Sequence, residues 1–316
     1  MTTRLAFCFA ACLASAAGAA ERKVLFIGID GCRPDALAAA ETPHLDRLIR
    51  AGALSTNTSI LGPRPTGSDT VSGPGWSSIF TGVWADKHGV KDNEFRGKNY
   101  DRYPHFFTLL RRARPAAVTA SFAAWGPIHE HILSGATAAG GEAEQGKGPE
   151  AWAAADERVV AAATEHLRGQ DPDAVCVYLG QVDETGHAKG FHPSVPEYVA
   201  AIERVDGHVG ELLAAVAARP TAAEEEWLVI VTTDHGGRGT GHGDGHEVEE
   251  IRRVFLIASG PGVKDPGPER QTYLVDVVPT ALAWLGVAVD PAWELDGTPF
   301  GVEAACPHGG PAEVQR

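Results

Sequence analysis

The sequence predicts an α/β protein, with a mostly parallel sheet covered by helices on both faces. Three observations lead there. Short apolar runs of strand length recur along the 316 residues, alanine-rich stretches with helical spacing separate them, and aspartates or histidines follow several of the runs directly. Parallel strands need a crossover connection, and a helix supplies it, so alternating strands and helices imply this layered sheet. Sites in such sheets gather at the carboxyl ends of the strands.

The elements follow in order. The first twenty residues, MTTRLAFCFAACLASAAGAA, join one arginine, an apolar run from Leu5 to Ala14 and a small-residue end at Gly18-Ala19-Ala20. That is the layout of a secretory signal peptide, with cleavage expected before Glu21. The run is short for a membrane span of about 20 residues, and no later stretch is apolar enough to cross a bilayer. The protein is therefore expected to be exported, to a periplasm or beyond. Residues 23–29, KVLFIGI, read as a first strand ending at Asp30. Residues 43–51 read as a helix, with Leu45, Leu48 and Ile49 at helical spacing, Thr42 as a cap and Gly52 as a stop. Residues 55–71 and 122–148 are rich in glycine, proline, serine and threonine and read as loops, small enough to form a cap within one domain spanning 21–316. Strands are expected at 117–122, 174–179, 227–232 and 254–258, and helices at 149–168 and 195–218.

A hydrophobic content of 44% with 22% charged residues fits a well-cored globular chain. The net charge of −14 argues against a nucleic-acid polymer or an anionic membrane as partner. A small anionic substrate remains compatible, because bound metals reverse the local sign. With Cys8 and Cys12 in the leader, Cys32, Cys176 and Cys306 remain, too few for a disulfide framework. Cys32 and Cys176 adjoin strands and read as small core residues.

The chemistry-bearing residues fall at strand ends. Asp30 stands in GIDGCRPD, where flanking glycines let a ligand approach the backbone, although a strand-ending Asp-Gly also reads as a turn. Asp234-His235-Gly236-Gly237 offers a carboxylate and an imidazole side by side after an apolar strand, and reads equally as a capping pair. Asp183 and His187, in QVDETGH, are four apart, which on a helix places both on one face, while Gly186 leaves a turn equally open. His242 and His246 share TGHGDGH, with one read as a ligand and the other as a bystander. Carboxylates and imidazoles in this number suit two zinc sites. Ser72, in TVSGPGWSSIFTGVW, sits where a helix begins. It reads either as a simple cap or as a nucleophile that gains from the helix dipole and from a metal that lowers its pKa.

The segments KVLFIGIDGCRPD, SGPGWSSIFTGVWADKHGVKDN, VDETGH, TTDHGG and GHG occur in the order found in the nucleotide pyrophosphatase/phosphodiesterase branch of the alkaline phosphatase superfamily. The ending LVDVVPTALAWLGV followed by LDGTPFG resembles that superfamily's closing helix and strand. The resemblance covers nearly all of the chain after the leader and implies an alkaline-phosphatase-like three-layer sandwich with a catalytic domain at 21–316. It implies one Zn²⁺ bound by Asp30, Asp234 and His235, with Ser72 completing the shell, and a second bound by Asp183, His187 and His242, with His246 as runner-up. Asn93, in GVKDN, matches the asparagine that hydrogen-bonds a phosphoryl oxygen, although Asp92-Asn93 also reads as a turn. The implied reaction is hydrolysis of a phosphate diester or nucleotide pyrophosphate, with Ser72 forming a phosphoseryl or nucleotidyl-seryl intermediate. Where the family often carries Thr-Phe-Pro-Asn, this chain has Ser72-Gly73-Pro74-Gly75-Trp76, so the hydroxyl chemistry is kept and the neighbouring pocket differs. Lys87 and His88 are expected in supporting roles. Arg33 and Arg64 are expected as solvated surface charges, with contact to an anionic substrate as the alternative. Phosphomonoesterase and phosphonate hydrolase activities remain open on the same core. A sulfatase is disfavoured by Trp76, which stands where its signature has arginine, and a non-catalytic binding protein by the presence of every ligand.

Overall fold

Residues 20–141 and 146–303 are described by the structure, a computed structural model. The leader at 1–20 falls outside the described residues except for Ala20, and Cys306 lies outside them too. The strands are β1 (Glu21–Ile29), β2 (Ala53–Ser59), β3 (Thr119–Ala123), β4 (Ala138–Gly140), β5 (Ala174–Leu179), β6 (Glu225–Thr232), β7 (Arg253–Ser259) and β8 (Thr272–Tyr273). The α-helices are α1 (Pro34–Ala39), α2 (Pro43–Ala51), α3 (Ser72–Thr81), α4 (Ala85–His88), α5 (Phe106–Ala113), α6 (Pro149–Gly169), α7 (Gln181–Lys189), α8 (Pro196–Ala217), α9 (Glu249–Arg252) and α10 (Val277–Trp284).

All eight strands form one sheet in the order β4-β3-β5-β1-β6-β7-β2-β8. The central β1 is buried from Lys23 onward and pairs in parallel with β5 and β6. Its run of valine, leucine and isoleucine suits a strand covered on both faces. Helices α1, α2, α6, α7 and α8 pack against one another as one layer, and α3, α4 and α10 pack as another. β7 runs antiparallel to both neighbours, a direction that the periodicity of 254–258 does not encode. The connection from β6 to β7 needs no helical crossover, so its residues are free to form a loop at the carboxyl end of the sheet.

Several expectations need correction. The loop read at 55–71 begins as strand β2, whose polar sequence LSTNTS hides it. Its buried hydroxyls are satisfied across the sheet, with Ser55 Oγ 2.6 Å and Thr58 Oγ1 2.8 Å from Thr272 Oγ1. The region at 122–148 holds the end of β3, a π-helical turn at Ile128–Ile132 and the short β4. Thr42 does precede α2, but the side chain capping that helix is Asp206 of α8, which accepts from the backbone N–H of His44 and Leu45. Arg33 is not a solvated surface residue. It is buried, donates to the carbonyls of Phe191 and Gly237, and pairs with Asp35. Arg64 pairs with Asp86 and Asp296. Lys87 joins Asp296 at 2.7 Å, and His88 Nε2 lies 3.0 Å from Ser78 Oγ on α3.

Candidate metal centre

The carboxyl ends of β1 and β6 place Asp30 and the Asp234-His235 pair side by side. His235 Nε2 lies 3.5 Å from Asp30 Oδ1 and 3.2 Å from Asp234 Oδ2. A second group joins Asp183 of α7 to His242 of the β6–β7 loop, with His242 Nε2 3.7 Å from Asp183 Oδ1. Ligand atoms of Asp30, Asp234 and His235 lie within 4.8 Å of one another, and so do those of Asp183, His235 and His242. His187 reaches the second group as well, its Nε2 3.3 Å from Asp183 Oδ2 and 3.0 Å from His242 Nε2. The helical alternative for 183–187 therefore prevails. Gly186 sits inside α7 because a Cβ there would lie 2.3 Å from the Phe191 ring. His235 and His242 stack with ring centroids 3.7 Å apart, so the two groups adjoin.

The ring tautomers agree with a metal role. Nδ1 of His235 donates to Gly236 O, Nδ1 of His187 to Thr240 O, and Nδ1 of His242 to Thr70 O. Each imidazole thus has its Nδ1 proton committed to a backbone carbonyl and its Nε2 atom facing the cluster, the orientation that metal-binding histidines adopt. His246 does the reverse. Its Nε2 donates to Ser68 O, and it takes part in neither group. Thr70 fixes the His242 loop further, since its hydroxyl donates to His242 O and accepts from Gly245 N–H.

The carboxylates agree as well. Asp30 Oδ1, Asp183 Oδ1 and Asp234 Oδ2 are buried without a hydrogen-bond partner. Their recorded ion-pair contacts among the described residues are with histidines of the cluster, not with lysine or arginine. Burial, followed by the charges of Asp30 and Asp183, pushes the Asp234 carboxyl well above its usual range. Two carboxylate charges within this range repel by roughly 3–4 kcal/mol at an effective dielectric near 20. Buried carboxylates with bare oxygens and no lysine or arginine partner fit divalent cations, and the mixed oxygen and imidazole donors suit zinc. Burial lowers His242 to about 4, whereas the Asp183 hydrogen bond raises His187 to about 9.

Ser72 opens α3 with its Oγ 3.3 Å from His235 Nε2. Gly75 on the same helix lets the chain pass Asp234, since a Cβ there would lie 2.8 Å from the Asp234 Cβ. Asn93 is tied to the start of α3. Its Oδ1 accepts from Gly73 N–H at 2.6 Å, which leaves the amide N–H groups as donors next to Ser72. The structure thus brings Asp30, Ser72, Asn93, Asp183, His187, Asp234, His235 and His242 to one place.

Asp156 escapes a sequence reading because it sits mid-helix in α6, far from any motif. Its carboxylate is buried and accepts from the backbone N–H of Gly180 and Gln181, both at 2.9 Å, at the start of α7. Burial, opposed by these two donors, pushes it up to about 7. It anchors the helix that carries Asp183 and His187. Asp156→Ala leaves two buried N–H groups unpaired, at about 1–3 kcal/mol each. The expected result is a lower urea midpoint with an unchanged m-value, and an unchanged midpoint would contradict the anchoring role.

The family described as type I phosphodiesterase / nucleotide pyrophosphatase matches residues 24–255. A human protein, ectonucleotide pyrophosphatase/phosphodiesterase family member 7, is 27% identical over 255 residues, covering 73% of this chain and 53% of that protein. A phosphopentomutase of Methylobacterium radiotolerans is 33% identical over 130 residues, covering 41% of this chain and 28% of the mutase. The chain thus spans no more than about half the length of these curated relatives. Murine ectonucleotide pyrophosphatase/phosphodiesterase 5, solved as an inactive variant with AMP, superposes with a TM-score of 0.62 at 18% identity, over 86% of this chain and 96% of that one. A 2-O GAG sulfatase superposes with a TM-score of 0.67 at 16% identity, over 88% and 73% of the two chains, which speaks to the shared fold alone. The match across most of the chain, on a mostly parallel sheet with acidic and histidine residues at its strand ends, means that the chain belongs to the type I phosphodiesterase / nucleotide pyrophosphatase family of the alkaline phosphatase superfamily.

Proposed function

We propose that the protein is an exported, metal-dependent phosphoester hydrolase that cleaves phosphate diesters or nucleotide pyrophosphates, with Ser72 as the nucleophile and two Zn²⁺ as cofactors. The observation that carries this reading is the placement of Ser72 Oγ, 3.3 Å from His235 Nε2 at the amino end of α3 and beside unpartnered carboxylate oxygens from three elements. Asp30, Asp234 and His235 would hold one cation and Asp183, His187 and His242 the other. When bound, such ions lower the pKa of a coordinated hydroxyl or water and neutralise charge on phosphoryl oxygens.

The chain's own residues do the rest. The start of α3 favours an oxyanion at Ser72 through the helix dipole. Ser72 Oγ attacks phosphorus and the ester or anhydride bond to the leaving group breaks, giving a phosphoseryl or nucleotidyl-seryl adduct. Water then attacks phosphorus, its oxygen passes to the product, and the Ser72 oxygen is released and reprotonated. The Asn93 amide would donate to a phosphoryl oxygen whose charge grows during both displacements. A short substrate with its phosphorus near Ser72 fits the acidic chain better than a nucleic-acid polymer does. No helix among the described residues is long and apolar enough to cross a membrane, which is compatible with release after leader cleavage.

The zinc-loaded protein, assayed on bis-p-nitrophenyl phosphate beside p-nitrophenyl phosphate, tests the substrate class. A higher kcat/KM on the diester is expected. Preference for the monoester would move the assignment to phosphatase on the same core, and silence on both would remove the hydrolase reading.

A further inference from the structure

Asp30 is held from behind by two donors on different elements. Trp76 Nε1–H donates to Asp30 Oδ2 at 2.9 Å, and the Tyr178 hydroxyl donates to the same oxygen at 2.5 Å, with all three residues buried. The other oxygen, Oδ1, has no hydrogen bond and lies 3.5 Å from His235 Nε2. A carboxylate with one oxygen occupied twice and the other bare offers a single oxygen to a cation.

The surroundings are shaped for this contact. Trp76 stands four residues after Ser72, so the helix that presents the hydroxyl also delivers the indole beneath Asp30. Gly28 precedes Asp30 by two on the same face of β1 and is the register partner of Tyr178 on β5. A Cβ on Gly28 would lie 2.4 Å from Trp76 Cη2, so glycine is what leaves room for the ring. The Trp76 and Tyr178 rings meet edge to face at 5.3 Å, and Phe26 and Phe80 pack against Trp76 at 6.2 and 6.0 Å. These contacts lock both donors in place. Trp76 also belongs to the stretch where this chain departs from the family's nucleophile pattern.

We infer that Trp76 and Tyr178 are positioning residues for Asp30, holding its Oδ1 toward the cation it shares with Asp234 and His235. The inference rests on the metal-centre reading above. Its consequence is site-selective, because neither residue bonds to Asp183, His187 or His242.

The test is metal titration of the chelator-stripped protein, with Zn²⁺ competing against a chromophoric chelator and Co²⁺ followed by its visible absorption. Wild-type protein, Tyr178→Phe, Trp76→Phe and the double variant are compared. Each single variant is expected to weaken one of two sites about 10-fold, within the usual range for lost outer hydrogen bonds. The other site should stay as in wild type, and the Co²⁺ spectrum of the weakened site should shift. The double variant should weaken it further. If Trp76→Phe does not fold, Tyr178→Phe decides, since it deletes a single oxygen atom. Wild-type isotherms in Tyr178→Phe, or equal weakening of both sites, would overturn the inference and leave the metal centre standing. A wild-type protein that takes up no metal would overturn the metal-centre reading itself, and this inference with it.

Discussion

Ser72→Ala is expected to lower kcat/KM on a diester by about 10³-fold or more, equivalent to at least about 4 kcal/mol of transition-state stabilisation. In the proposed reaction the hydroxyl is the attacking group, and among the described residues no other serine or threonine shares its place beside His235 Nε2 at the start of α3. Alanine removes one oxygen and keeps the helix, so the fold and most metal ligands should persist. Circular dichroism and bound-metal analysis check that point independently of turnover. Ser72→Thr keeps a hydroxyl and should retain measurable activity. Unchanged turnover in Ser72→Ala would sink the nucleophile assignment, whereas loss of turnover with loss of metal would mean that Ser72 acts chiefly as a ligand.

Removal of the metals should have the second large effect. Treatment with a strong chelator is expected to abolish hydrolysis, and added Zn²⁺ to restore it. Stability should fall too, by about 4 kcal/mol for each site relative to protein held at a thousand times that site's dissociation constant. The loss should grow with pH, and the sign follows from Asp234. Its carboxyl is raised in the metal-free fold by burial and by its neighbours Asp30 and Asp183, so the folded protein holds a proton that the unfolded chain releases near pH 3.9. Metal-free stability therefore falls as pH rises above that value, while metal affinity rises because the ligands must be deprotonated. Thermal unfolding with and without chelator at pH 5.5 and pH 8 measures the difference. Equal Tm values with and without chelator at both pH values would contradict the metal centre.

How far the site was legible in sequence depends on where each residue sits. Asp30 and Asp234-His235 announce themselves because they stand just past apolar strands, and Asp183 because it lies in the first turn of the helix that follows one; a parallel sheet sends its carboxyl ends to one edge. The choice of His242 over His246 rested on a family pattern. In the structure the reason is physical, since Thr70 O fixes Nδ1 of His242 while His246 spends its Nε2 on Ser68 O. Arginine is usually exposed, and only the buried carbonyl partners Phe191 and Gly237 explain why Arg33 is not. Strand β2 was missed because its polar sequence carries no alternation, and its hydroxyls are satisfied only by Thr272, more than two hundred residues away.

The sequence by itself determined the layered α/β class, the order of the main strands and helices, and the set of candidate ligands. Those features depend on local periodicity and on residue chemistry, both written in consecutive positions. The tertiary structure alone decided the antiparallel direction of β7, the capping of α2 by Asp206, the anchoring of α7 by Asp156 and the hold of Trp76 and Tyr178 on Asp30. Each of these joins groups distant along the chain, and no local pattern encodes such a pairing before the sheet closes around it.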